Sequence, residues 1–457
     1  MSNSNSNSNS NSNSNSNSTI IDIGDLVLEN KNINVVEPLP KIFVQIASFC
    51  DPQLPLTLRS IIDEADSPNQ LVIGIAHQYN PADAFADLAE YENDQRFKIL
   101  YIPYQEAKGV CWARHQVQQL YNDEEYTLQI DSHMRFAPHW DTELITMLKV
   151  LQGKGVKKPL LTSYVSSFNP ENDPAGRIQV PWQMAFDRFT PEGCVFFLPE
   201  TIPNWEKMTA PVTSRFYSGH FAFTLGIFSK EVQHNPAYYF HGEEISIAAR
   251  AFTHGYDMYH PHRVLVWHEY TRKGRVKQWD VDKSWATKNS LCHRLNRKLF
   301  AMDGEKQEGH DGPYGFGKER TLREYEIYAG IHFATRSVQQ YTLDKKYPPN
   351  PPVPGDEKDW LASFTRRFKH CINVAFSSLN EQDYDFWVVV FEDKTNESLF
   401  RKDADQAEIK ELMALQTTGE LFTNIWREFD TSKQPARWVV WPHSISKGWC
   451  ERVTGEL

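Results

Sequence analysis

The stretch Tyr126-Thr127-Leu128-Gln129-Ile130-Asp131-Ser132-His133 decides how this chain is read. An extended run carrying apolar Leu128 and Ile130 ends abruptly in a carboxylate and an imidazole two positions apart. Residues i and i+2 of a strand share a face, so Asp131 and His133 can reach one ion together. In an open α/β sheet, ligands sit in the crevice outside the carboxyl ends of the strands. The flanking sequence must then supply such a sheet.

Upstream it does. Ile42-Phe43-Val44-Gln45-Ile46-Ala47 reads as a buried strand, and Leu54, Leu58, Ile61 and Ile62 then recur at helical spacing. Residues 71–76 and 97–102 read as two further strands, with a helix over 83–91 between them and another over 110–121 after Gly109. Strands and helices alternating at this interval predict an α/β fold with a mostly parallel, Rossmann-like central sheet. Downstream, a helix is expected over 140–151 and strands over 160–165, 217–223 and 263–268. Further helices are expected over 243–254, 283–300 and 319–329. Residues 168–214 read as one long irregular segment rich in Pro and aromatics, suited to recognising an acceptor.

Ser2 to Ser18 alternates Ser and Asn and has nothing to bury, so residues 1–40 are expected to be a disordered tail and lead-in. The main domain spans 41–340. Tyr347-Pro348-Pro349-Asn350-Pro351-Pro352-Val353-Pro354-Gly355 marks a stiff linker within 341–356. Residues 357–457 predict a small β-rich accessory domain, with strands over 371–376, 386–391 and 438–441 and a helix near 407–415.

Composition excludes several partners. Lys and Arg number 48 against 59 Asp and Glu, a net charge of −11 without a basic block, so neither nucleic acid nor an anionic membrane surface is expected. No apolar run approaches the ~20 residues of a membrane span, and no signal peptide is visible. The six cysteines are scattered with no C-x-x-C pair, consistent with reduced thiols and a cytoplasmic location.

The Asp-x-His triplet has competitors in Asp280-Val281-Asp282, Asp383-Tyr384-Asp385 and Asp403-Ala404-Asp405, but only Asp131-Ser132-His133 follows an apolar strand inside the alternating pattern. A carboxylate and a neutral imidazole suit Mn²⁺, with Mg²⁺ as an alternative. Such an ion, bridging a nucleotide sugar's diphosphate, neutralises the charge that develops as the glycosidic bond breaks. His268, at the end of its own apolar strand, is the best third ligand. Two His and one carboxylate also occur in non-haem iron oxygenases, but the order there is His-x-Asp on a double-stranded β-helix. A catalytically inactive sugar-nucleotide binder is the other alternative.

These residues resemble the polypeptide N-acetylgalactosaminyltransferases of the GT-A fold. That family has Asp-Ser-His at a strand end, a preceding Gly and Arg as Gly109 and Arg114 stand here, and a Gly-Glu pair opening a helix as Gly242-Glu243 does. The chain is more closely similar to N-acetylglucosaminyltransferases that modify hydroxyproline on a cytoplasmic ubiquitin-ligase adaptor. The shared motifs include Ile46 through Pro52, Cys111-Trp112-Ala113-Arg114, Gly255-Tyr256-Asp257, Trp267-His268-Glu269-Tyr270 and Tyr314-Gly315-Phe316-Gly317. The resemblance runs over roughly residues 41–335.

It implies a retaining transferase using UDP-N-acetylglucosamine and a divalent metal, with a protein or glycan hydroxyl as acceptor. Asp131, His133 and His268 are the implied metal ligands, and Asp131, His133 and Glu243 the implied catalytic residues. Ser48, Gly109, Arg114, Asp131, Ser132, Gly219, Glu243 and Glu244 are implied to bind the donor. Ser48 would lie near the uridine or else cap a helix, Arg114 would face the diphosphate, and Glu243 would bind sugar hydroxyls. Phe240 falls near the donor in the related family, against core packing as the plainer role; Gly219 and His220 pass close to the sugar. No carboxylate is placed as a nucleophile, so a front-face displacement fits better than a double displacement.

Overall fold

A computed structural model of the protein describes residues 40–457; all of the expected tail but Pro40 lies outside the described residues. The first strands are β1 (Ile42–Phe49), β2 (Leu71–Tyr79), β3 (Phe97–Pro103) and β4 (Tyr126–Asp131). Then come β5 (Met134–Phe136), β6 (Lys158–Thr162), β7 (Ser166–Ser167), β8 (Trp182–Phe189) and β9 (Val195–Thr201). β10 (Val212–Thr213), β11 (Phe221–Leu225), β12 (Tyr256–His260) and β13 (Val266–His268) complete the large sheet and its satellites.

Eight strands form one sheet in the order β10-β12-β6-β11-β4-β1-β2-β3. β1 is parallel to both β2 and β4, and β2 is parallel to β3, while β11 runs antiparallel between β4 and β6. β1 and β4 are buried along nearly their whole length, as their continuous apolar runs require for strands covered on both faces. From β1 the chain progresses outward to β2 and β3, then returns to lay β4 on the other side. That reversal opens a crevice at the carboxyl ends of β1 and β4, where Ala47 stands opposite Asp131.

A second, three-stranded sheet, β5-β13-β7, finishes the site. β13 pairs antiparallel with β5, setting His268 opposite Met134, one residue beyond His133. Two imidazoles far apart in sequence thus become neighbours through a three-residue ladder.

The α/β class, the parallel-rich sheet and a β-rich C-terminal region are as expected. Several local expectations are corrected. Residues 83–91 form a 3₁₀ turn, Ala84–Ala86, and a single α turn, Ala89–Glu92, because the Asp87 side chain accepts the Ala89 N–H (2.9 Å) and starts the chain afresh. The expected irregular segment contains the hairpin β8–β9. Strand structure expected from Tyr217 begins only at Phe221, after a tight Ser218–Phe221 bridge. The proline-rich linker is not a free spacer: Asn350 is buried, accepts from Arg215 Nη2 (2.5 Å) and donates to Gln339 Oε1 (2.8 Å).

β14 (Ile331–His332) and β15 (Ser337–Gln339), before this segment, join β16 (Phe364–Ala375) and β19 (Phe422–Thr431), after it, in one sheet. β17 (Tyr384–Glu392), β18 (Ser398–Arg401) and β20 (Arg437–Ser444) make another, packed around Trp387, Phe391 and Ile425. Among the described residues no helix is long and apolar enough to cross a membrane, and none of the six cysteines is paired.

Candidate metal and donor site

β4 delivers Asp131 and then His133 into the crevice, and β13 delivers His268 from the side. Asp131 Oδ2 lies 3.6 Å from His133 Nε2 and 3.4 Å from His268 Nε2. One ligand atom from each residue lies within 4.8 Å of the others. His133 and His268 rings are 4.7 Å apart, and His220 stacks on the far face of His268 at 4.3 Å. Tyr270 packs edge-on against His268 at 4.3 Å and points its hydroxyl at His220 Nε2 (3.2 Å).

The arrangement fits a divalent cation on three observations. First, neither ring nitrogen of His268 makes a well-formed hydrogen bond although the side chain is buried, a costly state unless a ligand takes up a lone pair. Second, burial pushes His268 down to about 4, so its imidazole is neutral and available. Third, His133 Nδ1 lies 2.7 Å from Asp51 Oδ2. A carboxylate there accepts the Nδ1–H and leaves Nε2 unprotonated, its lone pair on the Asp131 side and available to a cation. Burial would raise Asp131, but the nearby His268 ring (3.4 Å) and the charges of Arg114 and His133 hold its carboxyl well below the usual range.

Asp51 was not singled out from the sequence. Its Oδ2 also accepts the Ser132 hydroxyl (2.7 Å) and Arg275 Nη1 (3.0 Å). Burial opposes its charge, yet His133 and Arg275 keep it ionised below its ordinary range. As the residue before Pro52 it reads as a turn former, and no local pattern separates it from one.

The cavity over this cluster has a volume of ≈ 140 Å³. Asp131, Ser132 and His133 line its floor, and Arg272, Arg275 and Lys277 line one wall. Phe240 and Trp279 form an aromatic face with rings 5.6 Å apart, and Arg272 sits over both. Phe240 is half-buried and does both: it packs against the cluster of Cys111, Tyr238, Tyr239 and Cys292 and also lines this cavity.

The other expected donor residues are arranged differently from their sequence reading. Arg114 does not line the cavity. It is buried beneath it, its Nη2 2.8 Å from Asp131 Oδ1 and its Nη1 3.6 Å from Glu243 Oε1. The cations that do line the cavity are Arg272, Arg275 and Lys277. Gly109 caps the Arg114 helix (Val110–Gln118) at φ +121°, where a Cβ would meet Tyr239 O at 2.6 Å. Gly219 lies against Arg114 and Glu243, and its N–H donates to Glu244 Oε1 (2.8 Å). Glu244 also accepts the Tyr164 hydroxyl (2.8 Å), so both its oxygens are engaged by protein. Burial raises both Glu243 and Glu244, aided at Glu243 by the charge of Glu244 and at Glu244 by that of Asp131.

Ser48 is fully buried between Ala47 and Phe49, which line the cavity while Ser48 does not; its hydroxyl has no protein partner. Nor does it cap a helix, since the following one (Leu54–Asp63) starts from Gln53. The rival acidic triplets have local duties: Asp280 and Asp405 cap short helices, and Asp383 accepts from Ser444 and Ser446.

No match is found among curated proteins. Among solved structures, the chain is similar to GalNAc-T7 with UDP, GalNAc and Mn²⁺ at 14% identity and TM-score 0.42, covering 63% of this chain and 54% of that one. It is similar to the mannosyltransferase PcManGT from Pyrobaculum calidifontis in complex with GDP-Man and Mn²⁺ at 13% identity and TM-score 0.34, covering 51% and 58%. S. aureus TarS 1-349 in complex with UDP matches at 9% identity and TM-score 0.34, over 57% and 72%. The chain thus spans little more than half the length of the first two. The family described as Glycosyltransferase (GlcNAc) matches residues 41–99 and 84–335, the region that contains the whole Asp131 crevice. The chain belongs to this glycosyltransferase family.

Proposed function

We propose that this protein transfers N-acetylglucosamine from UDP-N-acetylglucosamine to a hydroxyl on a protein or glycan, with retention and in dependence on a divalent metal, Mn²⁺ first. The observation that carries this reading is the meeting of Asp131, His133 and His268, with Asp131 and His133 lining a cavity that Arg272, Arg275 and Lys277 also line. The family's description supports the sugar, and the order of motifs along the chain supports the retaining class.

A divalent ion held by the three side chains would neutralise the charge developing on the departing diphosphate. The chain's own residues do the rest. Asp51 fixes the His133 tautomer and, through Arg275, ties that tautomer to the cationic wall. The wall binds the diphosphate electrostatically, where water is partly excluded and each charge counts for more. Arg114 holds Asp131 and Glu243 in fixed relation from below. Glu243, raised toward its protonated form, can both donate to and accept from sugar hydroxyls.

Because no free carboxylate faces the cavity as a nucleophile, the reading favours attack from the leaving-group side. The acceptor O–H proton then passes to the departing phosphate oxygen as the new C–O bond forms and the old one breaks. A neighbouring cavity of ≈ 390 Å³, bordered by Ser167, Phe168, Glu171 and Tyr270 and sharing Arg275, suits the acceptor. A hydroxyproline-bearing protein is the acceptor that the motif resemblance favours, and a cytoplasmic location goes with it.

The test is a panel of UDP-sugars assayed for UDP release with Mn²⁺, with and without acceptors. UDP released fastest from UDP-N-acetylglucosamine supports the donor; faster release from another UDP-sugar replaces it. Binding of every UDP-sugar without turnover, with acceptors present, identifies an inactive binder instead.

A further inference from the structure

A second cluster lies outside this crevice. Cys194, just before β9, His241, in the loop leading to the Glu243–Thr253 helix, and His293, inside the Trp285–Leu299 helix, converge from three separate elements. The Cys194 sulfur and one nitrogen of each ring lie within 4.8 Å of one another. Bonds of ~2.0–2.3 Å in a tetrahedral zinc site put ligand atoms about 3.3–3.8 Å apart, so closure needs a movement of about an ångström.

We propose that Cys194, His241 and His293 bind a structural Zn²⁺ ion, with Glu192 or a water molecule in the fourth position. The donor set is softer than Asp131, His133 and His268, and thiolate with imidazole selects zinc where carboxylate with imidazole suits manganese. The chain therefore carries two centres of different preference.

The surroundings fit an ion. Cys194 is fully buried and unpaired, whereas His241 and His293 are half-buried, leaving an edge through which an ion can enter. Burial pushes His241 down to about 4 and lowers His293, so both rings are neutral and able to ligate. Asn296 Nδ2 donates to Cys194 Sγ at 3.5 Å, the kind of outer contact that steadies a metal-bound thiolate. Asn289 ties the two histidines, accepting the His241 N–H (3.3 Å) and lying 3.2 Å from His293 Nε2. Burial also pushes the Cys194 thiol up to about 12, so ion binding releases its proton to solvent.

The ion's purpose follows from its place. His241 adjoins Gly242, whose φ of +107° starts the helix bearing Glu243 and Glu244. Gly242 rests against Cys194 and Asn296 so closely that a Cβ would lie 3.0 Å from the sulfur and 2.6 Å from Asn296 Nδ2. An ion there pins β9, this turn and the Trp285–Leu299 helix together, and so fixes the direction from which Glu243 approaches Arg114.

Co²⁺ loaded into the metal-stripped full-length protein reads the site directly, because a thiolate-to-cobalt charge-transfer band needs a cysteine ligand and the Asp131 centre has none. The band is expected in the wild type, lost in Cys194→Ser and in His293→Ala, and retained in His268→Ala. Protein purified without added metal should hold zinc, and chelation should lower the unfolding midpoint of the wild type but not of His293→Ala. Absence of the band in the wild type, its survival in Cys194→Ser, or its loss in His268→Ala overturns the proposal. If Cys194→Ser does not fold, His293→Ala, altered at a half-buried position, decides the question by the same band.

Discussion

Asp51 Oδ2 lies 2.7 Å from His133 Nδ1, and one carboxylate oxygen thereby sets the tautomer of an imidazole delivered by a different strand. The same oxygen takes the Ser132 hydroxyl and Arg275, so β1, β4 and the 272–277 wall meet on a single atom.

Asp51→Asn tests that relationship. The amide keeps one acceptor oxygen but loses the charge that His133, Ser132 and Arg275 share, so the His133 ring is held more weakly and Mn²⁺ affinity is expected to fall by roughly 10–100-fold. Activity should return largely at saturating Mn²⁺, with the far-UV circular dichroism unchanged. Activity that stays low at saturating metal would place Asp51 in the chemistry itself, whereas unchanged affinity would remove its role.

Arg114→Met should cost about 3–5 kcal/mol of stability, because it removes the counter-charge of the largely buried Asp131 carboxylate and leaves Glu243 without its partner. Urea denaturation measures this. A loss under about 1 kcal/mol would mean that the pair is solvated and weak.

Gly109→Ala should destabilise by at least about 2 kcal/mol, since φ +121° is strained for any side chain and the added Cβ strikes the Tyr239 backbone. Thermal unfolding reads it. A neutral effect would show that the turn before Val110 can rearrange freely.

Stability should fall on the acid side. Burial holds His260 down to about 4 in the folded protein, against about 6.5 unfolded, and also lowers His234. Between these values the unfolded chain binds more protons than the folded one, so stability drops as pH falls from 6.5 toward 4. His260 alone contributes at most about 3 kcal/mol to that loss. His260→Gln should flatten the melting-temperature profile over this window; an unchanged slope would mean that the ring is solvated.

The sheet was legible where strands are buried on both faces, because β1, β2 and β4 are continuous apolar runs with few other readings. Legibility failed where local polar bonds or long-range pairs govern. Asp87 interrupts a helix that its sequence favours, and nothing in its neighbours signals that choice. β19 alternates with period two, yet its inner face includes Arg427, neutralised by Glu408 on a distant helix, so the hydrophobic pattern was hidden. The β8–β9 hairpin was obscured by Pro199 within its second strand.

At the site, Asp131, His133 and His268 could be picked out because Asp131 and His268 each end an apolar strand and His133 follows Asp131 by two positions. Their mutual distance follows from the β5–β13 ladder, which is three residues long and has no periodic signature. Arg114 pairs with Asp131 and Glu243 and does not line the cavity, an orientation its helix position alone does not give, since that fixes a face and not what lies beneath it. Asp51 meets Arg275 across 224 residues of chain and His133 across 82, which no local reading supplies.

The central claim is that one divalent ion is shared by Asp131, His133 and His268. Electron paramagnetic resonance titration of Mn²⁺ into the full-length protein, with and without UDP, tests it most directly. The account predicts binding that UDP tightens, and a loss of at least about tenfold in His268→Ala. Binding of Mn²⁺ in His268→Ala as tight as in the wild type would contradict it.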